Sequence, residues 1–256
     1  MSILVHELGD PAGRPLVCLH GVTGHGGRFA GLAARLPGRR ILAPDLRGHG
    51  SSTDEPPWDV EQHVADLAGA IDVERADWLG HSFGGRLVVE LAARHPERVA
   101  RAVLLDPALR VLPHVARDQA ESDLPQPSWA SLEEAVDARL ASGRLFHTPR
   151  ELLEEELPAF LEQGADGRLR YRHFRPAVVT AWSEMAKPPP PYPRIPTLLL
   201  LGARSLLVLD EDRAAYEEAL GALLRVVEVP GGHVVLWDAL EETAAAVRAF
   251  LEDAGA

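Results

Sequence analysis

Five residues, Gly80-His81-Ser82-Phe83-Gly84, stand between a short apolar run, Ala76-Asp77-Trp78-Leu79, and a stretch with helical periodicity, Arg86-Leu87-Val88-Val89-Glu90-Leu91-Ala92-Ala93. A serine hydroxyl is a poor nucleophile. It becomes a useful one when a sharp strand-to-helix turn holds it out of the backbone, beside a base and backbone N–H donors. Gly80 and Gly84 lack the Cβ atoms that would keep the strand end and helix start apart, and Ser82 is expected at positive φ. The pattern reads as a nucleophile elbow, and its chemistry as acyl transfer.

Acyl transfer turns a carbonyl oxygen into an anion, which needs donors. The run Leu16-Val17-Cys18-Leu19 leads into His20-Gly21-Val22-Thr23-Gly24. Parallel strands bring their C-terminal ends to one edge, so this loop faces the same edge as Ser82. The backbone amides of Val22 and Phe83 are therefore the expected oxyanion donors. The base must be a histidine on a late loop at that edge. Of eleven histidines, only His233 follows a late strand, through Pro230-Gly231-Gly232, and precedes a helix. His95, before Pro96, reads as a helix terminus; His114, His147 and His173, in the insertion, could touch substrate but read rather as solvated surface; His81 is expected to pack or hydrogen-bond with its ring turned away from Ser82. No H-x-H, HExxH or Cys/His cluster occurs, so neither a metal nor a cofactor is expected.

The elements that must position these residues alternate between two periodicities. Short runs rich in branched residues predict strands at 3–8, 16–19, 40–43, 77–79, 102–105, 197–201 and 226–229. Helical patterns fall at 28–36, 60–71, 83–94, 211–223 and 235–252. The order indicates an α/β fold, a mostly parallel sheet covered on both faces by helices. Between Pro107 and Pro193 the β-rich runs vanish, and helical patterns at 131–140, 150–163 and 177–185 carry Trp129, Phe146, Phe160, Phe174 and Trp182 as apolar anchors. The expected organisation is a core of residues 1–106 and 194–256 with an inserted helical cap at 107–193. The run Pro188-Pro189-Pro190-Pro191-Tyr192-Pro193 would return the chain to the sheet in extended form, and Glu151-Leu152-Leu153-Glu154-Glu155-Glu156 would be a solvated helix face.

With 46% hydrophobic and 25% charged residues, the chain reads as globular rather than disordered or fibrous. A net charge of -12 repels phosphate backbones and anionic lipid, which argues against nucleic-acid or membrane partners and leaves a small molecule. The one cysteine, Cys18, excludes an internal disulfide and reads as a buried thiol. The N-terminus lacks a basic region and no stretch approaches a membrane span, so a cytoplasmic monomer or homodimer is expected.

Taken together, His20-Gly21, Asp45-Leu46-Arg47-Gly48-His49-Gly50-Ser51-Ser52, Gly80-His81-Ser82-Phe83-Gly84-Gly85, Leu201-Gly202 and Gly231-Gly232-His233 resemble the α/β-hydrolase family. The resemblance covers the chain outside the insertion. It implies a sheet of seven or eight strands, a lid over Ser82, and structural roles for Asp45 and Arg47. So late a start leaves the family's usual first, antiparallel strand as an expected absence. In the family the acid that orients the histidine usually stands three residues beyond the glycine ending the next-to-last strand, where this chain has Ser205 in Gly202-Ala203-Arg204-Ser205. A variant takes the acid from the end of the strand before the cap, which is Asp106 here, and Asp106 is the expected acid. Asp210 and Asp212 follow the other loop but read as helix N-capping and dipole complementation. The function implied is a serine hydrolase cleaving a carboxylic ester or related acyl compound. Thioesterase, lactonase, carbon-carbon bond hydrolase, perhydrolase, lyase and non-catalytic receptor remain alternatives. Few obvious basic clusters and the acidic helix favour an apolar acyl group over an anionic one.

Overall fold

A computed structural model describes residues 2–253. Seven strands form the main sheet: β1 (Val5–Gly9), β2 (Arg14–Leu19), β3 (Arg39–Pro44), β4 (Ala76–His81), β5 (Val99–Leu105), β8 (Thr197–Gly202) and β9 (Leu224–Val229), with β6 and β7 lying apart in the insertion. Their order across the sheet is β1-β3-β2-β4-β5-β8-β9. All neighbouring pairs are parallel except β1 with β3. The expected absence of an antiparallel strand is thus corrected: the first strand of this chain is antiparallel and forms one edge.

Side chains alternate across a strand, so each central strand feeds two cores. Val17, Leu19, Trp78, Leu104 and Leu199 join one face, under α2 (Val60–Ala70) and α3 (Phe83–Arg94). Leu16, Cys18, Leu79, Val103, Leu105, Leu198 and Leu200 join the other, with Phe29 and α10 (Leu240–Glu252). Every residue of β4 is buried, as a strand covered on both faces demands. The helix expected at 28–36 is a 3₁₀ turn (Gly26–Phe29) followed by one α-turn, α1 (Ala30–Ala33). That expected at 235–252 breaks at Ala239 into α9 (Val235–Asp238) and α10. The helix predicted from 211 is α8 (Asp210–Leu220).

The segment between β5 and β8 is not purely helical. It holds α4 (Pro113–Asp123), α5 (Leu132–Leu140), α6 (Arg150–Phe160) and α7 (Arg175–Met185), and also an antiparallel pair, β6 (Leu161–Gln163) with β7 (Leu169–Tyr171). Two features were not legible in the sequence. Helix α4 buries only Ala116, so it lacks an apolar stripe. The β6–β7 pair consists of three-residue strands, too short for an alternating pattern to stand out. Trp129, Val136, Leu153, Leu157 and Phe160 make a separate core that reaches Val234 and Trp237 of the main body.

Arg86, on α3, holds both ends of this insertion. Its guanidinium is buried and donates to Leu109 O (2.6 Å) on the outgoing chain, and to Lys187 O (3.0 Å) and Pro188 O (2.8 Å) on the return, while Nε pairs with Glu90 (2.8 Å). Removing the cation leaves three carbonyls and one oxygen of the buried Glu90 carboxylate without their donor, while Arg94 still bonds the other oxygen. Arg86→Met should therefore lower unfolding free energy by about 3 kcal/mol or more, measured by urea denaturation; a loss below about 1 kcal/mol would mean that the junctions hold without it.

Candidate active site

The elbow forms where the sequence places it. Ser82 has φ 57° and ψ -121°, between β4 and α3. A Cβ on Gly80 would lie 2.2 Å from Gly84 O, and one on Gly84 would lie 2.2 Å from Leu19 O, so both positions require glycine. Ser82 N–H donates to Leu105 O (3.1 Å), and Ser82 O accepts from Gly85, Arg86 and Ala108 amides. These bonds hold the residue in a conformation that its own side chain disfavours.

His233 lies on the loop after β9. Its Nε2 is 3.0 Å from Ser82 Oγ, and its Nδ1 is 2.6 Å from Asp106 Oδ2. With the proton on Nδ1, the ring donates to the carboxylate and accepts from the serine hydroxyl. Asp106 follows β5, is 1% exposed and also sits at positive φ, 40°. Its buried charge is matched by donors: His233, Ser205 Oγ at 2.6 Å on Oδ2, and Gly202 N–H at 3.3 Å on Oδ1. Ser205, at the position where an acid was expected by resemblance, thus hydrogen-bonds the acid that comes from another strand. Asp210 and Asp212 take no part in this chain of bonds. The N-cap of α8 is Leu209, without a side-chain cap, which corrects the capping part of their reading; the two aspartates sit in the first helical turn, where they complement the helix dipole as expected. Asp212 pairs with Arg110 at 3.3 Å.

The loop after β2 is fixed by two histidines. Leu46 N–H donates to His20 Nε2 (2.9 Å), so Nδ1 carries the proton and donates to Gly21 O (2.8 Å). His49 Nε2 is 2.5 Å from Val22 O and donates to it. In a trans peptide N–H and C=O point in opposite directions. Holding Gly21 O against His20 therefore turns the Val22 N–H away from that ring. In the same way, the three bonds to Ser82 O turn the Phe83 N–H outward, and Phe83 opens α3, where an amide has no acceptor within the helix. Gly21 packs against Ser82: a Cβ there would come within 2.9 Å of Ser82 Cβ. His81 does hydrogen-bond and pack, donating to His233 O (2.9 Å), but its ring stacks on that of His233, with centroids 4.8 Å apart, rather than leaving the site.

A cavity of about 630 Å³ opens over Ser82 and His233, walled by Phe146, Phe160, His173 and Trp182 of the insertion and by Trp237. His173 is thus part of the cavity wall, which favours the alternative that it could touch substrate over solvated surface. Glu156 likewise leaves the solvated face of α6: its carboxylate accepts a hydrogen bond from Trp237 Nε1. Asp238, which sequence reasoning passed over, ties the insertion to the histidine loop. It accepts from Gly232 N (2.8 Å) on one side, and from Phe146 N (3.0 Å), His147 N (3.1 Å) and Thr148 Oγ1 (2.6 Å) on the other. Burial opposes its ionisation, and these four bonds outweigh that and hold it below the usual carboxylate range. An acid closing the apolar run Val234-Val235-Leu236-Trp237 was the signal available.

Asp45 and Arg47 are structural. Asp45 accepts from Gly26 N (2.7 Å), Ser51 N (3.0 Å) and His6 Nε2 (2.9 Å), and Arg47 pairs with Asp66 at 2.7 Å. Among the described residues, His6, His25 and Asp45 are the one group that brings three metal-capable atoms within 4.8 Å, and both Asp45 oxygens already accept protein donors. No helix there is long and apolar enough to cross a membrane.

The profile of the α/β-hydrolase fold matches residues 14–240. The chain belongs to this family. Over 258 residues it is 35% identical to the lipase LipV of Mycobacterium tuberculosis, covering 98% of each chain. It is 32% identical to a 3-hydroxybutyrate-oligomer hydrolase of Cupriavidus necator over 89% of this chain and 85% of that one. Among solved structures of the family, E-2-(acetamidomethylene)succinate hydrolase superposes with a TM-score of 0.85 at 27% identity, over 98% of this chain and 95% of that one.

Two outcomes follow for this site. Asp106→Asn, which keeps the shape but removes the charge beside His233, should lower turnover at this site by roughly 10⁴-fold, whereas Asp210→Asn should leave kcat/KM within about threefold; steady-state kinetics on both variants decides. Six histidines at this edge and beneath it resist protonation. Burial lowers His25 and His173 to about 4 and His63 to about 3, and pushes His20, His49 and His81 downward too. His6 alone is raised, by its bond to Asp45. Below the ordinary histidine pKa of about 6.5 the unfolded chain binds protons that these six refuse in the native state, so their contribution is whole above that pH and shrinks below it. His6 acts oppositely and is outnumbered. The melting temperature should fall by about 5 °C or more from pH 7.5 to 5.5 in scanning calorimetry; a flat profile would contradict the buried-neutral assignment.

Proposed function

We propose that this chain is a serine hydrolase that cleaves a carboxylic ester through an acyl-enzyme. The observation that carries the reading is the unbroken line Ser82 Oγ, His233 Nε2, His233 Nδ1, Asp106 Oδ2, at 3.0 and 2.6 Å across its two links. Ser82 Oγ attacks the ester carbonyl while His233 Nε2 takes its proton. Asp106 keeps the ring in the tautomer that can do so and balances the imidazolium that results. The oxyanion is received by the Val22 and Phe83 amides, whose peptide planes are held by His20 and by the bonds to Ser82 O. His233 then protonates the leaving alcohol. Water enters, gives its proton to the same nitrogen, and releases the acid.

Likeness to a lipase over the full length supports ester cleavage over the other chemistries that this constellation serves. The cavity's size and its aromatic wall suit a small or medium substrate. Wild-type protein should react with a fluorophosphonate probe and hydrolyse p-nitrophenyl esters, and Ser82→Ala should do neither, with ester turnover down by roughly 10⁶-fold. A folded protein whose Ser82 never labels would indicate a ligand receptor, and products lacking incorporated ¹⁸O from labelled water would indicate a lyase.

A further inference from the structure

The cavity over Ser82 is basic. Among the described residues its lining contains Arg28, Arg139, Arg144 and Arg204, and Asp123 as the one carboxylate. Two of the four arginines stand at the rim: Arg144 donates to Gln119 Oε1 (3.0 Å), and Arg204 lies 5.0 Å from the Phe146 ring centroid. The other two lie deeper. Arg28 is 8% exposed, and its Nε and Nη2 are buried with no hydrogen-bond partner; Arg139 Nε is in the same condition.

A buried guanidinium with unmet donors is costly unless something is built to receive it. What surrounds Arg28 is only partial compensation. Its Cζ is 5.4 Å from the Trp237 centroid and 5.8 Å from that of Phe160, and Arg139 Cζ is 5.1 Å from Trp237, so ring faces take up some of the charge. The acids nearby answer this charge without bonding Nε or Nη2: Glu156 accepts from Trp237 Nε1 and acts on Arg28 through space, and Asp123 accepts from Trp182 Nε1 at 2.7 Å. Burial raises the pKa of both carboxyls. Arg28 is pulled down to about 10, by burial first, and remains a cation at neutral pH. It is close enough to the nucleophile to depress His81, the residue before Ser82.

The two free donors of Arg28, Nε and Nη2, share one edge of the guanidinium, the edge that meets a carboxylate side-on with two parallel hydrogen bonds. Resting on the serine-hydrolase reading above, we propose that the cavity selects an ester carrying a free carboxylate, received by the guanidinium of Arg28, whose buried Nε/Nη2 edge turns toward the cavity to meet it, with Arg139 as a second cation beside it. The expectation of an apolar acyl group rested on the aromatic anchors, the lack of obvious basic clusters and the acids of α6; none of those acids lines the cavity, whereas the arginines do. The carboxylate completes donors that the empty site leaves unmet, so an uncharged analogue forfeits more than one contact.

Two matched pairs test this. On the acyl side, mono-4-nitrophenyl adipate is compared with its methyl ester; on the alcohol side, 4-acetoxybenzoate is compared with 4-acetoxybenzamide. In wild-type protein the anionic member of at least one pair should have a kcat/KM about tenfold higher or more. Arg28→Met should collapse that ratio by at least tenfold, and Arg28→Lys should restore part of it. Fluorophosphonate labelling of Ser82 in each variant reports an intact nucleophile. As a readout independent of turnover, Ser82→Ala protein titrated calorimetrically with monomethyl adipate should bind it at least tenfold more tightly than dimethyl adipate. A preference for the uncharged member of both pairs overturns the proposal, as does an unchanged ratio in a labelled Arg28→Met protein or equal binding of the two adipates. Hydrolysis of neutral esters with Ser82-dependent labelling would then leave the serine-hydrolase reading standing.

Discussion

The register between β4 and β5 is the constraint on which the rest depends. His81 pairs with Leu105, so the next residue on each strand, Ser82 and Asp106, leaves the sheet at the same height. Both turn there through positive φ, and each is tied to the neighbouring strand: Ser82 N–H bonds to Leu105 O, and Asp106 N–H to Leu200 O at 2.7 Å. A slip of one residue would send every side chain of a strand to the other face. That slip is opposed by the two cores, which claim alternate residues of both strands. Packing far below the cavity thus sets the distance between nucleophile and acid, and the loop after β9 has only to drop His233 between them.

The fold was legible because its signals are local. Seven branched runs separated by helical patterns suffice for an α/β sheet, and all seven appear as strands within a few residues of where the pattern put them. Ser82, His233 and Asp106 were legible because each sits at a strand end beside residues with distinctive constraints: glycines at 80 and 84, Gly231-Gly232, and proline at 107. The β6–β7 pair and α4 were not. Their stability comes from contacts that sequence spacing does not encode, such as the reciprocal backbone bonds between Trp129 and Leu169 and the bond from Trp182 Nε1 to Asp123. Arg28 was invisible for the same reason: it stands in the short 3₁₀ turn Gly26–Phe29, and the rings that bury it arrive from residues 160 and 237.

Ser205 shows how a departure from a family pattern can carry information. A serine where an orienting acid usually stands suggested either a lost function or a relocated acid. Its hydroxyl bonds to the same Asp106 oxygen that faces His233. The position still serves the carboxylate, now as a donor instead of as its source. An acid at 205 would bring a second negative charge against Asp106 in a buried site, where like charges are poorly tolerated.

Arg86 gathers the outgoing chain at Leu109 and the returning chain at Lys187 and Pro188 onto one guanidinium of the nucleophile helix. The intervening segment is therefore a loop whose two ends meet before it begins to fold over the cavity. Closing such a loop costs only slightly more as it grows longer. Any segment that offered carbonyls at those two points could be seated on the same sheet without touching the strand register, so the part of the molecule that shapes the cavity is separable, as a graft, from the part that holds the reacting atoms.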